Sequence, residues 1–567
     1  MATTDGKLVS RRGLLRGSLA LAALASLSGC TGTASDGGSS TPPAAGSAAS
    51  EPATLSLGIL EPVCIDPFNA VDEAGAQVAY QLFDPLTRYD FEAGVLVYLA
   101  AESCAASEDR RTFTFVLREA TFHDGTPVRS ADFKRAWERI ASPISAATQY
   151  HGASSAAYLL SLVEGYQALR DGSATGLSGV ACPDDRTLAV TLSIPYADFP
   201  YVVANPCLAP VPPAAEEDAA AFAVHPVGNG PFSLAEAYSK GDAGLELVAY
   251  DGYAGDAPRI AGARLAVYQT MSDSYQALEE GGLMASPCPV ERVDTGAAAW
   301  RSDDPALELT RDRRCVLGCT PTVSMLVCNT AAAPLDNAGL RYAVSMAIDR
   351  DDLARTVFRD ARMAADGVVA PDVPGYRTGA WPYAVHDADA ATQLLDTLYP
   401  CDSSGERDVH LTLSYSSGSG QDDAMEAIAS DLEAVGITCD LDPVPYDALR
   451  NRLATGNFQL GRFDWTPGFM SMDNVLYPLF DSASIGSRNY ARYSDEQVDA
   501  LISEARGQVG EEVRIELLQQ AEDIVAADCP VIPYLFGGFS FSGTQELESL
   551  PVDPLGYAHL AEAELAE

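Results

Sequence analysis

Positive charge is what this 567-residue chain has little of: 36 Lys+Arg stand against 79 Asp+Glu, a formal charge of −43. A surface this anionic repels the phosphates of a nucleic acid instead of condensing on them. It disfavours an acidic membrane face for the same reason, unless a covalent group holds the chain there. Histidine is scarce too, six in all and scattered, so no general-base or metal-ligand spacing emerges. His123, in Phe122-His123-Asp124-Gly125, is expected to make a turn contact with Asp124 and not to act in catalysis. Gly-x-Ser-x-Gly, His-Glu-x-x-His and Walker A patterns are missing. Gly418-Ser419-Gly420 lacks the third glycine of a dinucleotide loop and reads as a plain loop. The sequence therefore supports no catalytic site and implies no cofactor. Past residue 30 there is no run of about 18 apolar residues, so no later segment is expected to span a bilayer.

What is present is ordinary for a folded chain. Hydrophobic residues at 47% and charged residues at 20% exclude wholesale disorder. The length suggests about three or four folded units.

The first 30 residues read as an export signal. Arg11-Arg12 precede an acid-free apolar run, Leu19 to Leu27, which is too short for a spanning helix of about 20 residues. The paired arginines are similar to a twin-arginine signal; an ordinary secretory signal with a basic start is the alternative. The run closes on Leu27-Ser28-Gly29-Cys30, which resembles a bacterial lipobox. That resemblance implies cleavage before Cys30, diacylglycerol on its thiol, and attachment to the outer face of the cytoplasmic membrane. Two acyl chains hold a protein without help from a basic patch. Residues 31–52, rich in Gly, Ser, Thr, Ala and Pro, cannot form a core and read as a flexible tether.

Setting Cys30 apart from the 12 cysteines leaves an odd number, so one thiol at least must stay free or pair with another molecule. Cys315, Cys319 and Cys328 lack the second Cys or His pair of a closed metal site, and no metal is expected there. Cys401 and Cys439 flank a strand–helix unit and could pair.

Alternation predicts strands at Thr54–Ile59, Thr112–Leu117 and Arg186–Leu192, and an apolar strand at 323–328. Ser130 is expected to cap a helix over Asp132–Ile140, and Asp336 one that runs through Leu340, Ala343, Val344, Ala347 and Ile348. Residues 411–416, 424–435 and 437–443 read as strand, helix, strand, the unit of an open sheet with helices on its faces.

Several stretches together resemble the family 5 solute-binding proteins of ABC importers, the oligopeptide- and dipeptide-binding group. They are Arg111–Arg118 with Phe122–Val128, Asp132-Phe133 with Trp137, Gly165–Leu169, Asp185–Leu188 and His225–Phe232, then Asn329-Thr330, Pro334, Leu340-Arg341, Ala347–Arg350, Ala424–Ile437 and Cys529–Pro533. They fall in order over roughly residues 54–540. The glycines and prolines among them are turn chemistry, and Arg341 and Asp349-Arg350 are expected to form ion pairs that stabilise the fold.

The resemblance implies an α/β, two-lobed periplasmic-binding-protein-like fold (type II, the large peptide-binding class) with an extra α/β domain on lobe one. By order, lobe one takes 53–83, 208–314 and 530–562, the extra domain 84–207, and lobe two 315–529. It also implies a monomer that closes on a small solute, first of all a short peptide, and serves a permease with its ATPase subunits. The same fold holding an oligosaccharide, metal chelate or other small organic molecule is the alternative, as is a peptide sensor or chaperone uncoupled from transport.

Peptide-binding relatives carry Trp-x-x-Asp, whose acid meets the peptide's ammonium. Here the place is filled by Arg462-Phe463-Asp464-Trp465-Thr466-Pro467-Gly468, with glycine where the acid is expected. A buried ammonium without a carboxylate would cost several kcal/mol. Either Asp464 or Glu73 replaces the acid, or the ligand has no free amine. Asp464 has a second reading as a solvated acid at a strand end. The expected ligand-binding residues are Trp465, Asp464, Glu73, Phe463 and Arg462.

Overall fold

The computed structural model describes residues 54–293, 298–300, 307–404, 406–418 and 421–566. The export signal, Cys30, the tether and part of the Gly418–Gly420 loop lie outside the described residues.

Period-two alternation sets the first strand, Thr54–Leu60, whose Leu55, Leu57 and Ile59 are buried. It pairs in parallel with Gly262–Tyr268 and opens one half of an 11-stranded sheet. In the other half, His410–Tyr415 lies between Thr438–Pro443 and Leu460–Trp465, parallel to both. Helix Gln421–Ala434 connects the first two, so the expected strand–helix–strand unit is present.

Two long antiparallel strands, Cys315–Cys328 and Val531–Gly543, join the halves. Val531–Gly543 also pairs with Ala285–Pro287 of the first half, and Cys315–Cys328 with Leu460–Trp465 of the second. Their mutual register shifts between Cys319 and Val323 and again between Ser324 and Met325, so the ladder is interrupted where the chain passes from one half to the other.

Core side chains leave both faces of the second half. Val323, Met325 and Val327 pack among helices Asp473–Phe480, Glu496–Gly507 and Glu511–Asp528. Leu326 and Cys328 point the other way, towards helices Ala338–Ala347, Ala388–Leu398 and Gln421–Ala434. A sheet buried on both faces needs such apolar runs.

A separate four-stranded antiparallel sheet, Ala101–Ala106, Thr112–Leu117, Thr187–Thr191 and Val180–Asp184, stands beside the first half. Phe113, Phe115 and Leu117 alternate into its core. Helix Ser130–Ala141 covers it through Phe133, Ala136, Trp137 and Ile140, spaced at i, i+3, i+4 and i+7. Burying a Phe or Ile side chain of this kind stabilises by roughly 1.5–3 kcal/mol. Trp137 spends its one polar atom on the Leu208 carbonyl at 2.9 Å. At the edge of this unit Arg139 forks onto fully buried Asp66, at 2.8 and 2.5 Å.

Four expectations are corrected in detail. Ser130 lies inside its helix and donates to the Asp184 carbonyl; the N-cap is Arg129, whose backbone N–H donates to Asp132 at 2.7 Å. Asn337, not Asp336, caps Ala338–Ala347, accepting from Gly339 N at 2.9 Å. His123 does not bond Asp124: its Nδ1 accepts from Gly228 N at 3.1 Å and its Nε2 lies 3.2 Å from the Gly230 carbonyl. Burial pushes this imidazole down to about 4, so it is neutral, and the two turn motifs are bonded to each other. Arg341 and Arg350 are carbonyl clamps instead of ion pairs. Arg341 donates to the carbonyls of Asp528, Cys529 and Leu335, and Arg350 to those of Pro533 and Ser345.

Eleven cysteines fall among the described residues, where Cys401 and Cys439 are not joined to each other; Cys401 is exposed and the others are buried or half-buried.

Candidate ligand-binding site

Strand Leu460–Trp465 sends alternate side chains to opposite faces. Arg462 and Asp464 share one face. Arg462 Nη2 meets Asp464 Oδ2 at 2.5 Å and Nε meets Tyr534 Oη at 3.1 Å. Phe463 and Trp465 share the other, Phe463 packed edge-on against Tyr490 with ring centres 5.1 Å apart. Trp465 Nε1 donates to the Asn474 carbonyl at 2.8 Å, and Asn474 Oδ1 accepts from Gly468 N at 2.7 Å. Asn205 Nδ2 completes the clamp on the Gly468 carbonyl at 3.1 Å. The tryptophan thus fixes the loop that follows it.

That loop, 466–470, forms one wall of a cavity of about 1320 Å³, partly open to solvent. The remaining walls come from 70–91, 155–159, 201–207 and 553–557, segments far apart in the chain. The lining is aromatic: Tyr80, Tyr89, Phe91, Tyr158, Tyr201, Phe469 and Tyr557 all reach it. Tyr80 and Tyr557 pack with ring centres 4.8 Å apart. Burial pushes the Tyr158 hydroxyl up to about 12, and those of Tyr80 and Tyr557 higher still, so these phenols are neutral near pH 7.

The expected site residues stand around this cavity, not on its lining. Arg462, Phe463, Asp464 and Trp465 lie in the strand that leads to it. Glu73 begins helix Glu73–Leu82 and lines a second, smaller pocket of about 460 Å³, which shares Tyr557 with the first. Glu73 as a whole is exposed, yet local desolvation of its carboxyl and the neighbouring Asp72 push that carboxyl up. At Gly468 the reason for glycine is local: a Cβ there would overlap Tyr158 Oη. Nothing in the sequence places 158 against 468, so Tyr158, Asn205 and Arg88 carried no signal by spacing.

An α/β sheet in two halves, joined by two crossing strands and carrying a separate small sheet, defines the class. The chain belongs to the bacterial extracellular solute-binding proteins of family 5; the family described as "Bacterial extracellular solute-binding proteins, family 5 Middle" matches residues 95–487. Its fold is the two-lobed α/β fold of the periplasmic binding proteins. Among relatives, it is 26% identical over 514 residues to the dipeptide-binding protein DppE of Bacillus subtilis, covering 88% of this chain and 89% of that protein. It is 27% identical over 451 residues to heme-binding protein A of Haemophilus influenzae, covering 76% and 77%. Of solved structures, HbpA2 from Haemophilus parasuis superposes with a TM-score of 0.77 at 21% identity, over 91% of this chain and 100% of that one. The first two of these are named as binding proteins. Among the described residues, no helix is long and apolar enough to cross a membrane.

Proposed function

We propose that the protein is a lipid-anchored receptor of an ABC importer, which captures a short peptide in the cavity and delivers it to a membrane permease. The observation that carries this reading is the cavity itself. Its lining is mostly aromatic and apolar with a few polar groups, as a ligand site requires, and its walls combine the loop after Trp465 with segments of the proposed lobe one and extra domain. In this reading the lobes take 53–83, 208–314 and 530–562 on one side and 315–529 on the other, with 84–207 as the extra domain. Trp465 acts by fixing the 466–470 wall. Asp464 and Glu73 are the acids available to a peptide's ammonium, with Arg462 and Phe463 beside them. Cys30 carries the anchor on the outer face of the cytoplasmic membrane, and the protein binds without turning its ligand over.

Gly468 favours a second reading, in which the same cavity holds a non-peptide solute. The similar proteins named above bind a dipeptide and heme by their names, so the scaffold accepts more than one chemistry.

Native mass spectrometry of the freshly purified protein tests both readings: a peptide mass supports the first, any other mass the second. Uptake of the identified ligand should fall in a strain lacking the protein. Unchanged uptake would favour a sensor or chaperone. Fatty-acid labelling should disappear in Cys30→Ser, and labelling that persists would refute the anchor.

A further inference from the structure

We infer that the cavity seats an anionic group of its ligand, a carboxylate or similar oxyanion, on Arg88 among neutral aromatic rings. The inference rests on the reading of this cavity as the ligand site.

The charged groups of the lining decide the sign. Among the described residues that line the cavity, two are charged, Arg88 and Asp553. The carboxylate of Asp553 is already engaged on both oxygens. Its Oδ1 accepts from the backbone N–H groups of Leu555 at 2.9 Å and Tyr557 at 3.0 Å, and its Oδ2 lies 3.1 Å from His559 Nε2. It serves as the bracket of a turn, and an entering cation would have to compete with those donors. Arg88 is the opposite case. Its Nη2 is ion-paired with Glu562 at 3.7 Å and its charge faces Asp84, but its Nε is buried without a hydrogen-bond partner. A guanidinium presents five donors in a planar fork that fits two oxygens at once. Buried donors left unmade are costly, so an oxyanion that fills them gains more than it would in water.

The surroundings reinforce the choice. Tyr89 and Phe91 follow Arg88 in sequence and reach the same cavity, as does Tyr201, whose ring centre is 6.1 Å from that of Tyr89. Gly468 admits no acid while Tyr158 holds its position. The fitting ligand is therefore an apolar or aromatic molecule with a carboxylate or similar group at one end.

The test uses two scaffolds, each offered as an anion and as a cation, with binding read by calorimetry. The peptide scaffold is Ala-Phe-Ala, N-acetylated with a free carboxylate or free-amine with a C-terminal amide. The aryl scaffold is 3-phenylpropanoate or 3-phenylpropylamine. The carboxylate form should bind at least about tenfold more tightly than the amine form on either scaffold. Arg88→Gln should reduce that preference to within about threefold, and Arg88→Lys, which keeps the charge, should retain most of it. Equal or tighter binding of the amine forms overturns the inference and leaves the peptide reading intact. A carboxylate preference on the aryl scaffold alone keeps the inference and sinks the peptide reading. A preference that survives in Arg88→Gln, or no binding of any of the four, overturns the assignment to Arg88.

Discussion

Gly468 and Tyr158 form a contact in which one residue's missing side chain is the other's space. Tyr158 is 47% exposed and its far end can swing aside, so Gly468→Ala should destabilise by only about 1 kcal/mol, the low end of overpacking. Tyr158→Phe deletes the overlapping hydroxyl, so the double variant should recover most of that loss; urea unfolding of the four proteins checks the coupling. A second residue shows its strain through pH. Glu522 is fully buried, its Oε1 has no hydrogen-bond partner, and its Oε2 meets Arg377 at 2.9 Å. Burial outweighs the guanidinium and pushes the carboxyl up to about 7. The folded state then holds its proton more tightly than the unfolded chain, so stability is complete below about pH 4.5 and falls as pH rises towards 7. The loss is at most about 3 kcal/mol. Glu522→Gln should flatten this slope and raise Tm at pH 7.5, leaving Arg377 paired with Asp523 at 2.6 Å; an unchanged pH profile would refute the assignment. Neither residue was legible in the sequence. Glycine at 468 showed as a departure from a pattern, but its cause, a tyrosine 310 positions earlier, is a tertiary fact.

Elements were more legible than residues. Strands Thr54–Leu60 and Thr112–Leu117 and helix Ser130–Ala141 follow from period two or period 3.6 alone. Their caps did not, because Ser130 and Asp336 are good caps by type: the Ser130 hydroxyl goes instead to the distant Asp184 carbonyl, and Asn337, one residue past Asp336, takes the Gly339 N–H. Arg341 and Arg350 were misread for a like reason: nothing local says whether a guanidinium will meet acids or backbone oxygens. Ion pairs do matter where the turn at 195–201 docks on the helices of the second half. Arg506 forks onto Asp473 at 2.8 and 2.9 Å, with Tyr196 Oη donating to the same acid at 2.9 Å. Arg514 meets Asp198 at 2.7 Å, and Ser471 Oγ donates to Asp198 at 2.5 Å. All four charged groups are nearly excluded from solvent. Asp473→Asn leaves a buried guanidinium half-paired and should cost about 3–5 kcal/mol in urea unfolding. Replacing Asp473 and Arg506 together by Leu and Met should cost less than either single change; a larger loss would show that the pair itself stabilises the docking.

For the whole molecule, the interrupted ladder between Cys315–Cys328 and Val531–Gly543 is where few hydrogen bonds resist bending. Ligand binding should close the halves about this point and shorten the radius of gyration in small-angle scattering. An unchanged radius at saturating ligand would count against closure. The distribution of thiols has a practical outcome of another kind. Burial pushes Cys104, Cys207, Cys319 and Cys439 up to about 12, and Cys529 to about 11. A thiol at 12 has about one part in 10⁵ of its population as thiolate at pH 7, and the thiolate is the form that attacks disulfides and alkylating reagents. These groups are therefore slow in exchange chemistry as well as shielded by their neighbours. Cys401, just past the end of helix Ala388–Leu398, is the exposed exception. A brief maleimide treatment at neutral pH should label Cys401 first, and replacing the half-buried Cys182 and Cys315 by Ser should leave it as the main site, a fluorescence reporter on the second half of the protein.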